Sequence, residues 1–328
     1  MASTPIVSVG LFVYNGERFL ERALDSILSQ TFIDFELLIS DNASTDRTGE
    51  IAQAYAERDD RIRYYRSEKN LGVGWNARRV YELARGRYFK WAAVDDVLEP
   101  EFLRRCVEIL ESDPGCVVAY AKTKEVDENG TFIENYVTPI KADSNDPVDR
   151  FREMILTDHN CYQIFGVIRM SGLSRLPPQG IYVSGDRVLL ARLSLLGRFC
   201  EIPEHLFIRR RHSGQSVAML PVRLIAPRFR LTKRYGTLPC TEWWDPAKTR
   251  SLTFPEFRKL LEYFLSIYRS PLAPRQKLRC YFLLFPWIEI HANYMLGNLL
   301  IAADQILYRW QSAKRHRRLS ATGVPAQK

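Results

Sequence analysis

The chain opens on a run in which almost every position is apolar, Ile6-Val7-Ser8-Val9-Gly10-Leu11-Phe12-Val13-Tyr14. A β-branched run without polar alternation predicts a strand covered on both faces, as in the middle of a parallel sheet. Asn15-Gly16 ends it, and Glu17 to Gln30 then sets Phe19, Leu20, Ala23, Leu24, Ile27 and Leu28 at helical spacing. The alternation continues. Phe35 to Ser40 reads as a second strand ending at Asp41, and the polar turn Asn42-Ala43-Ser44-Thr45-Asp46 offers several N-caps for a helix running to about Arg58. Ile62 to Arg66 is a third strand, Asn70-Leu71-Gly72-Val73-Gly74 a turn, Trp75 to Ala84 a helix and Arg87 to Ala93 a fourth strand. Strands alternating with helices predict an α/β domain with a doubly wound, mostly parallel sheet.

In such sheets ligands bind outside the carboxyl ends of the strands. Asn15, Asp41, Asp95 and Asp96 all follow strand ends, so they are expected to share one crevice despite their separation in the chain. The stretch Trp91-Ala92-Ala93-Val94-Asp95-Asp96 carries the most chemistry, because adjacent carboxylates repel unless a cation sits with them. Taken alone it also fits a solvated turn ahead of a helix starting near Glu99-Pro100-Glu101. No G-x-G-x-x-G follows the first strand and no G-x-x-x-x-G-K-[ST] occurs, so no glycine cradle for phosphates is expected. A divalent cation on Asp95 and Asp96 would neutralise a diphosphate instead.

These residues together carry a resemblance. Val7 to Tyr14 followed by Asn15, Ser26-x-x-x-Gln30, Asp41-Asn42-Ala43-Ser44-Thr45-Asp46, Asn70-x-Gly72 and Asp95-Asp96, in this order, resemble an inverting family 2 glycosyltransferase of the GT-A fold, bacterial type. The resemblance covers about the first two thirds of the chain. It implies a nucleotide-sugar donor of UDP or dTDP type and Mn²⁺ or Mg²⁺ as cofactor. It places Phe12, Tyr14, Asn15, Glu17, Asp41, Asn70, Gly72, Asp95 and Arg211 around the donor, with Asp41 reading the base, and Asp95, Asp96 and His212 at the metal. Two positions depart from the family's pattern: Ala93 replaces the first acid of Asp-x-Asp-Asp, and Phe12 stands where many members have proline.

The second half should handle the acceptor. Cys116 to Tyr120 reads as a fifth strand, Thr123 to Tyr136 as a hairpin around Glu128-Asn129-Gly130, Val148 to Leu156 as a helix and Ile164 to Arg169 as a strand. Ser184-Gly185-Asp186-Arg187 precedes a strongly apolar helix ending at Gly197. Asp186 by itself fits a helix N-cap. By resemblance it is the catalytic base, and an inverting transfer needs a carboxylate to take the acceptor hydroxyl's proton. After a strand near Phe199 to Ile202 comes Arg209-Arg210-Arg211-His212-Ser213-Gly214-Gln215-Ser216, similar to the R-x-H-x-x-x-S element that closes many bacterial members. Its arginines suit a departing nucleoside diphosphate.

The expected organisation is a GT-A catalytic domain over about residues 1–216, with a donor half to about 115 and an acceptor half beyond it. A helical region over about 217–318 and a disordered tail over about 319–328 follow. Pro239 to Pro246 reads as a connector, Phe254 to Tyr268 as a helix, and Gln276 to Trp310 as a long apolar segment broken at Pro286. No window of 18–20 residues there is free of charge, which argues against a membrane span. Two accounts stay open: core helices packed on the catalytic domain, or an interfacial amphipathic helix aided by Lys314-Arg315-His316-Arg317-Arg318 on anionic lipid.

Charge sharpens this. A net +9 and a pI near 9.3 favour anionic partners. The basic residues form no nucleic-acid motif, so a nucleic-acid-binding protein is the weaker alternative; a nucleotidyltransferase would need a glycine-rich basic loop that Phe12 to Glu17 does not provide. The expected acceptor is a glycan or lipid-linked molecule. Six scattered cysteines without a C-x-x-C pair argue against a zinc site or a disulfide framework and suit a reducing cytoplasm, and Met1 to Pro5 shows no secretory leader.

Overall fold

The computed structural model describes residues 4–177, 180–215, 244, 246 and 252–321. The first half builds β1 (Val7–Val13), α1 (Glu17–Leu28), β2 (Phe35–Asp41), α2 (Thr48–Ala56), β3 (Ile62–Arg66), α3 (Val73–Glu82) and β4 (Tyr88–Ala92). β1 pairs in parallel with β2 and β4, and β2 with β3. A two-residue β5 (Val97–Leu98), α4 (Phe102–Ser112), β6 (Cys116–Val126) and β7 (Phe132–Tyr136) follow. Then come α5 (Pro147–Leu156), a 3₁₀ turn (Tyr162–Phe165), β8 (Val167–Arg169), α6 (Met170–Leu173), α7 (Gly185–Ser194) and β9 (Arg198–Arg210).

The strands form one sheet in the order β3-β2-β1-β4-β8-β6-β9-β5, with β7 paired to β6. It is parallel through β3-β2-β1-β4, β8 runs antiparallel between β4 and β6, and β6 and β9 are parallel. Helices cover both faces. Val7, Val9 and Leu11 pack under α1, α2 and α4, whereas Phe89 and Trp91 face a second core with α3, α5 and α7. This is the expected doubly wound α/β architecture.

Local differences have physical causes. β4 stops at Ala92, one residue before the expected end, and the apolar stretch continues as a turn. Ile164–Arg169 is not one strand, because the chain makes a 3₁₀ turn through Phe165 before β8 begins at Val167. β9 extends far beyond Ile202, to Arg210. It does so around an irregularity: Ile202 pairs with Ala121 and Phe207 with Thr123, so four residues starting at Pro203 bulge opposite one. Proline has no N–H for the ladder, and a bulge is where a strand tolerates it.

The C-terminal helices are α8 (Pro255–Arg269), α9 (Pro274–Phe282) and α10 (Leu284–Ala321). The helix break falls at Leu283, and Pro286 sits in the first turn of α10, where its missing N–H is harmless. α8 packs on the catalytic domain: Arg192 and Glu262 form a buried ion pair at 2.5 Å, and Tyr263 lies edge-on to Phe151 and Trp287. The five described cysteines are unpaired. The expected connector falls largely, and the expected tail mostly, outside the described residues. No described helix is long and apolar enough to cross a membrane.

Candidate active site

The floor is a polar web at the carboxyl ends of β1 and β2. Asn15 leaves β1 at φ 50°, a left-handed conformation that asparagine tolerates. Its amide donates to Ser44 Oγ at 2.9 Å and its Oδ1 accepts from the Thr45 amide at 2.8 Å. Gly16 has no room for a side chain, since a Cβ would lie 2.6 Å from Val13 and 2.8 Å from Val94. The first turn thus lies directly against the turn carrying Asp95. Glu17 accepts from the Arg47 amide at 2.9 Å. Phe12 is partly buried against the second core and Tyr14 is exposed.

Asp41 is fully buried. It accepts from the Ser44 amide at 2.8 Å and Tyr64 Oη at 3.0 Å, and pairs with Arg66 at 3.2 Å. The next residue reaches the following loop. Asn42 Nδ2 donates to Asn70 Oδ1 at 2.8 Å, Asn42 Oδ1 accepts from the Leu71 amide at 2.9 Å, and Asn70 Oδ1 also accepts from the Gly72 amide at 2.8 Å. Gly72, at φ 88°, faces the Trp244 carbonyl so closely that a Cβ would collide with it. Asp41, Asn70 and Gly72 therefore do converge, through Asn42.

The two acids of the β4–β5 turn face different surroundings. Asp95 Oδ2 lies 3.1 Å from His212 Nε2, and these side chains are 21% and 11% exposed, so a ligand can reach both. The His212 ring rests on Phe19, centroids 4.8 Å apart. The contact spans more than a hundred residues and follows from the sheet. β5 pairs antiparallel with β9, Val97 opposite Ile208, so the chain leaving Arg210 passes beside the turn that precedes Val97. Asp96 turns inward and accepts from the Arg210 amide at 3.2 Å. Burial, and then the Asp95 charge, push its carboxyl well above the usual range, and the Arg210 bond offsets this only in part.

Beneath Asp96 lies Lys90, almost fully buried in β4. Its Nζ donates to the Phe165 carbonyl at 2.5 Å and the Trp91 carbonyl at 3.2 Å, and sits over the Phe102 ring at 4.8 Å. Burial lowers its pKa to about 8. Of the expected arginines, Arg211 pairs with the buried Glu125 and with Glu134 on the β6–β7 hairpin. Arg210 lies over Phe19 at 5.2 Å and donates to the Asp127 and Glu128 carbonyls at 3.2 Å. Arg209 lies over Tyr162 at 5.4 Å.

Asp186 lies at the start of α7. Ser184, at φ 63°, occupies the N-cap position, and Asp186 sits inside the first turn of α7, half-buried, accepting from the Arg187 amide at 2.8 Å. It is not the N-cap. The loop before it packs Ile181 against Gly74 at the start of α3. Arg187 donates to the His159 carbonyl at 2.6 Å, fixing α7 to the segment that leads into the 3₁₀ turn. Among the described residues no direct bond joins Asp186 to Asp95, Asp96 or His212.

Several residues of this site escaped the sequence reading. Asn76 bridges the strand ends, accepting from Ser40 Oγ at 2.6 Å and donating to the Ser40 and Val13 carbonyls at 2.9 and 3.2 Å. An asparagine at one helical position carries no signal of that role. Lys90 did carry one, as the lone charge inside an otherwise apolar strand. Phe19 looked like any core residue of α1.

A family description, Glycosyl transferase family 2, matches residues 8–171, half of the chain. The chain belongs to glycosyl transferase family 2. Among its relatives, chondroitin synthase of Escherichia coli is 34% identical over 137 residues, 42% of this chain and 20% of that protein. A glycosyltransferase of Methanocaldococcus jannaschii is 30% identical over 134 residues, 40% of this chain and 46% of its own length. The chain thus matches less than half the length of either relative. The crystal structure of S. aureus TarS 1–349 in complex with UDP-GlcNAc is 16% identical, covers 93% of this chain and 92% of that one, and superposes with a TM-score of 0.52. That likeness establishes the shared GT-A fold.

Proposed function

We propose that this family 2 chain is a metal-dependent inverting glycosyltransferase. It moves a sugar from a UDP- or dTDP-type donor to a hydroxyl of a cell-surface polysaccharide, glycolipid or related acceptor, on the cytoplasmic side of the cell. The carrying observation is the Asp95–His212 contact at 3.1 Å, solvent-reachable and placed at the carboxyl edge of a GT-A sheet. The relatives support the substrate class, since E. coli chondroitin synthase and the UDP-GlcNAc complex of TarS both concern sugar nucleotides or their polymers.

The donor set suits a hard divalent cation. Asp95 offers carboxylate oxygen and His212 imidazole nitrogen, and no third His, Cys, Asp or Glu completes a cluster among the described residues. Mn²⁺ and Mg²⁺ commonly use few protein ligands and take the rest from substrate phosphates. When bound, the cation would neutralise the diphosphate and stabilise it as a leaving group. Asp96 is the anchor in this reading: it holds the Arg210 backbone and thereby the register that carries His212. Asp41, Asn42, Asn70 and Gly72 shape the wall for the nucleoside. Asp186 takes the proton of the acceptor hydroxyl as its oxygen attacks the anomeric carbon from the face opposite the leaving group.

The test is a donor screen that reads nucleoside diphosphate release across common nucleotide-sugars, with Mn²⁺, Mg²⁺ or chelator. Turnover with one donor, abolished by chelator, is the expected result. Full turnover in chelator would remove the metal from the mechanism.

A further inference from the structure

The C-terminal helices carry an apolar surface that the catalytic domain does not cover among the described residues. α10 is 38 residues long, about 57 Å at 1.5 Å per residue. One face buries Leu284, Trp287, Ile301 and Ala302. A second face exposes Phe285, Ile288, Leu296, Leu299 and Ile306. At 100° per residue these five fall within an arc of about 80°, a straight stripe beside the buried one. A helix apolar on more than one face is normally covered on each.

The stripe continues onto the other helices. Phe285 meets Phe282 of α9, ring centroids 6.3 Å apart, and the neighbouring Tyr281 meets Phe264 of α8 at 4.9 Å. Phe282, Phe264 and Tyr268 are all exposed, Tyr268 by 68%. A contiguous aromatic and aliphatic patch of this kind marks an interaction surface.

Charge selects the occupant. Residues 252–321 hold eleven Lys and Arg against four Asp and Glu, so they carry +7 of the chain's +9. Two of the four acids are already paired, Glu262 with Arg192 and Arg258, and Glu256 with Lys259. Lys277 donates to the Tyr268 carbonyl at 2.8 Å, placing a cation at the patch edge. Lys314, Arg315, Arg317 and Arg318 all fall in the last turns of α10. A second copy of the chain would bring the same +7 to the interface and be repelled. An exposed apolar and aromatic surface on a strongly basic helical region matches an anionic bilayer surface, where acyl chains take the apolar side chains and phosphates take the basic ones. We propose that α8–α10 seat the protein on an anionic lipid bilayer by this patch.

Flotation of the full chain with vesicles of phosphatidylglycerol and phosphatidylethanolamine, against phosphatidylcholine vesicles, tests it. The native protein should float with the anionic vesicles, be released by high salt, and stay behind with the neutral ones. The variant F285S/L296S/L299S alters exposed positions only, so circular dichroism should match native while bound protein falls at least tenfold. Absence of flotation with anionic vesicles overturns the proposal, as does equal flotation of the variant. A native dimer in sedimentation velocity that the variant dissociates would also overturn it, by assigning the patch to a second copy. The assay involves no donor and no turnover, so its outcome is separable from that of the proposed transfer reaction.

Discussion

Acid sensitivity should originate beside the proposed base, at His159. This residue is only 5% exposed. Its Nδ1 accepts from the Cys161 amide at 3.1 Å and its Nε2 faces the Met154 carbonyl at 3.3 Å, which together select the neutral ring protonated on Nε2. A second proton on Nδ1 would point at an N–H. Burial, reinforced by the neighbouring Arg187 charge, lowers the pKa from 6.5 to about 4. The sign follows: the unfolded chain binds this proton first, so stability is unaffected above pH 6.5 and is lost as pH falls toward 4. A difference of about 2.5 units at 1.36 kcal/mol each gives a loss of about 3 kcal/mol across that window. H159N retains an acceptor for the Cys161 amide and does not titrate. Urea unfolding followed by tryptophan fluorescence at pH 7 and pH 4 should show the native chain losing about 3 kcal/mol more than H159N over this interval. Equal losses would refute the reasoning. Because Arg187 holds the His159 carbonyl at 2.6 Å and neighbours Asp186, the same protonation should loosen the start of α7.

Other outcomes separate the roles assigned above. D95N should weaken Mn²⁺-dependent binding of nucleoside diphosphate by tenfold or more in calorimetry, while D96N, which keeps an acceptor for the Arg210 amide and replaces a desolvated carboxyl by a neutral group, should change it far less. D186N should leave donor binding intact and reduce kcat by about 10² to 10⁴, the usual range for loss of a general base; near-native turnover would reassign the base. G72A must place an alanine at φ 88° and ψ 158°, a conformation open essentially to glycine alone, against the Trp244 carbonyl; the backbone strain alone costs about 1–3 kcal/mol, so its Tm should fall by several degrees. An unchanged Tm would show that this loop relaxes freely.

The periodicity of the chain determined much by itself. The mostly apolar runs at Val7, Phe35 and Tyr88 read as strands covered on both faces, and the polar residues that end them then gather at one edge. That reasoning was enough to place Asn15, Asp41, Asp95 and Asp96 on one edge of the sheet, because strand direction in a parallel sheet is dictated locally by the crossover helices. What it could not decide were relations set by strand order and register. The pairing of Val97 with Ile208 brings His212 to Asp95 and turns Asp96 onto the Arg210 backbone. Two adjacent carboxylates look alike in sequence; the distant strand that passes one of them makes them different. The same holds for Arg211, whose charge seemed available until the hairpin carrying Glu134 and the buried Glu125 folded against it. On α10, sequence showed a long apolar segment that fitted either a core helix or an interfacial one, and only packing revealed which face α8 covers and which apolar side chains the described residues leave exposed.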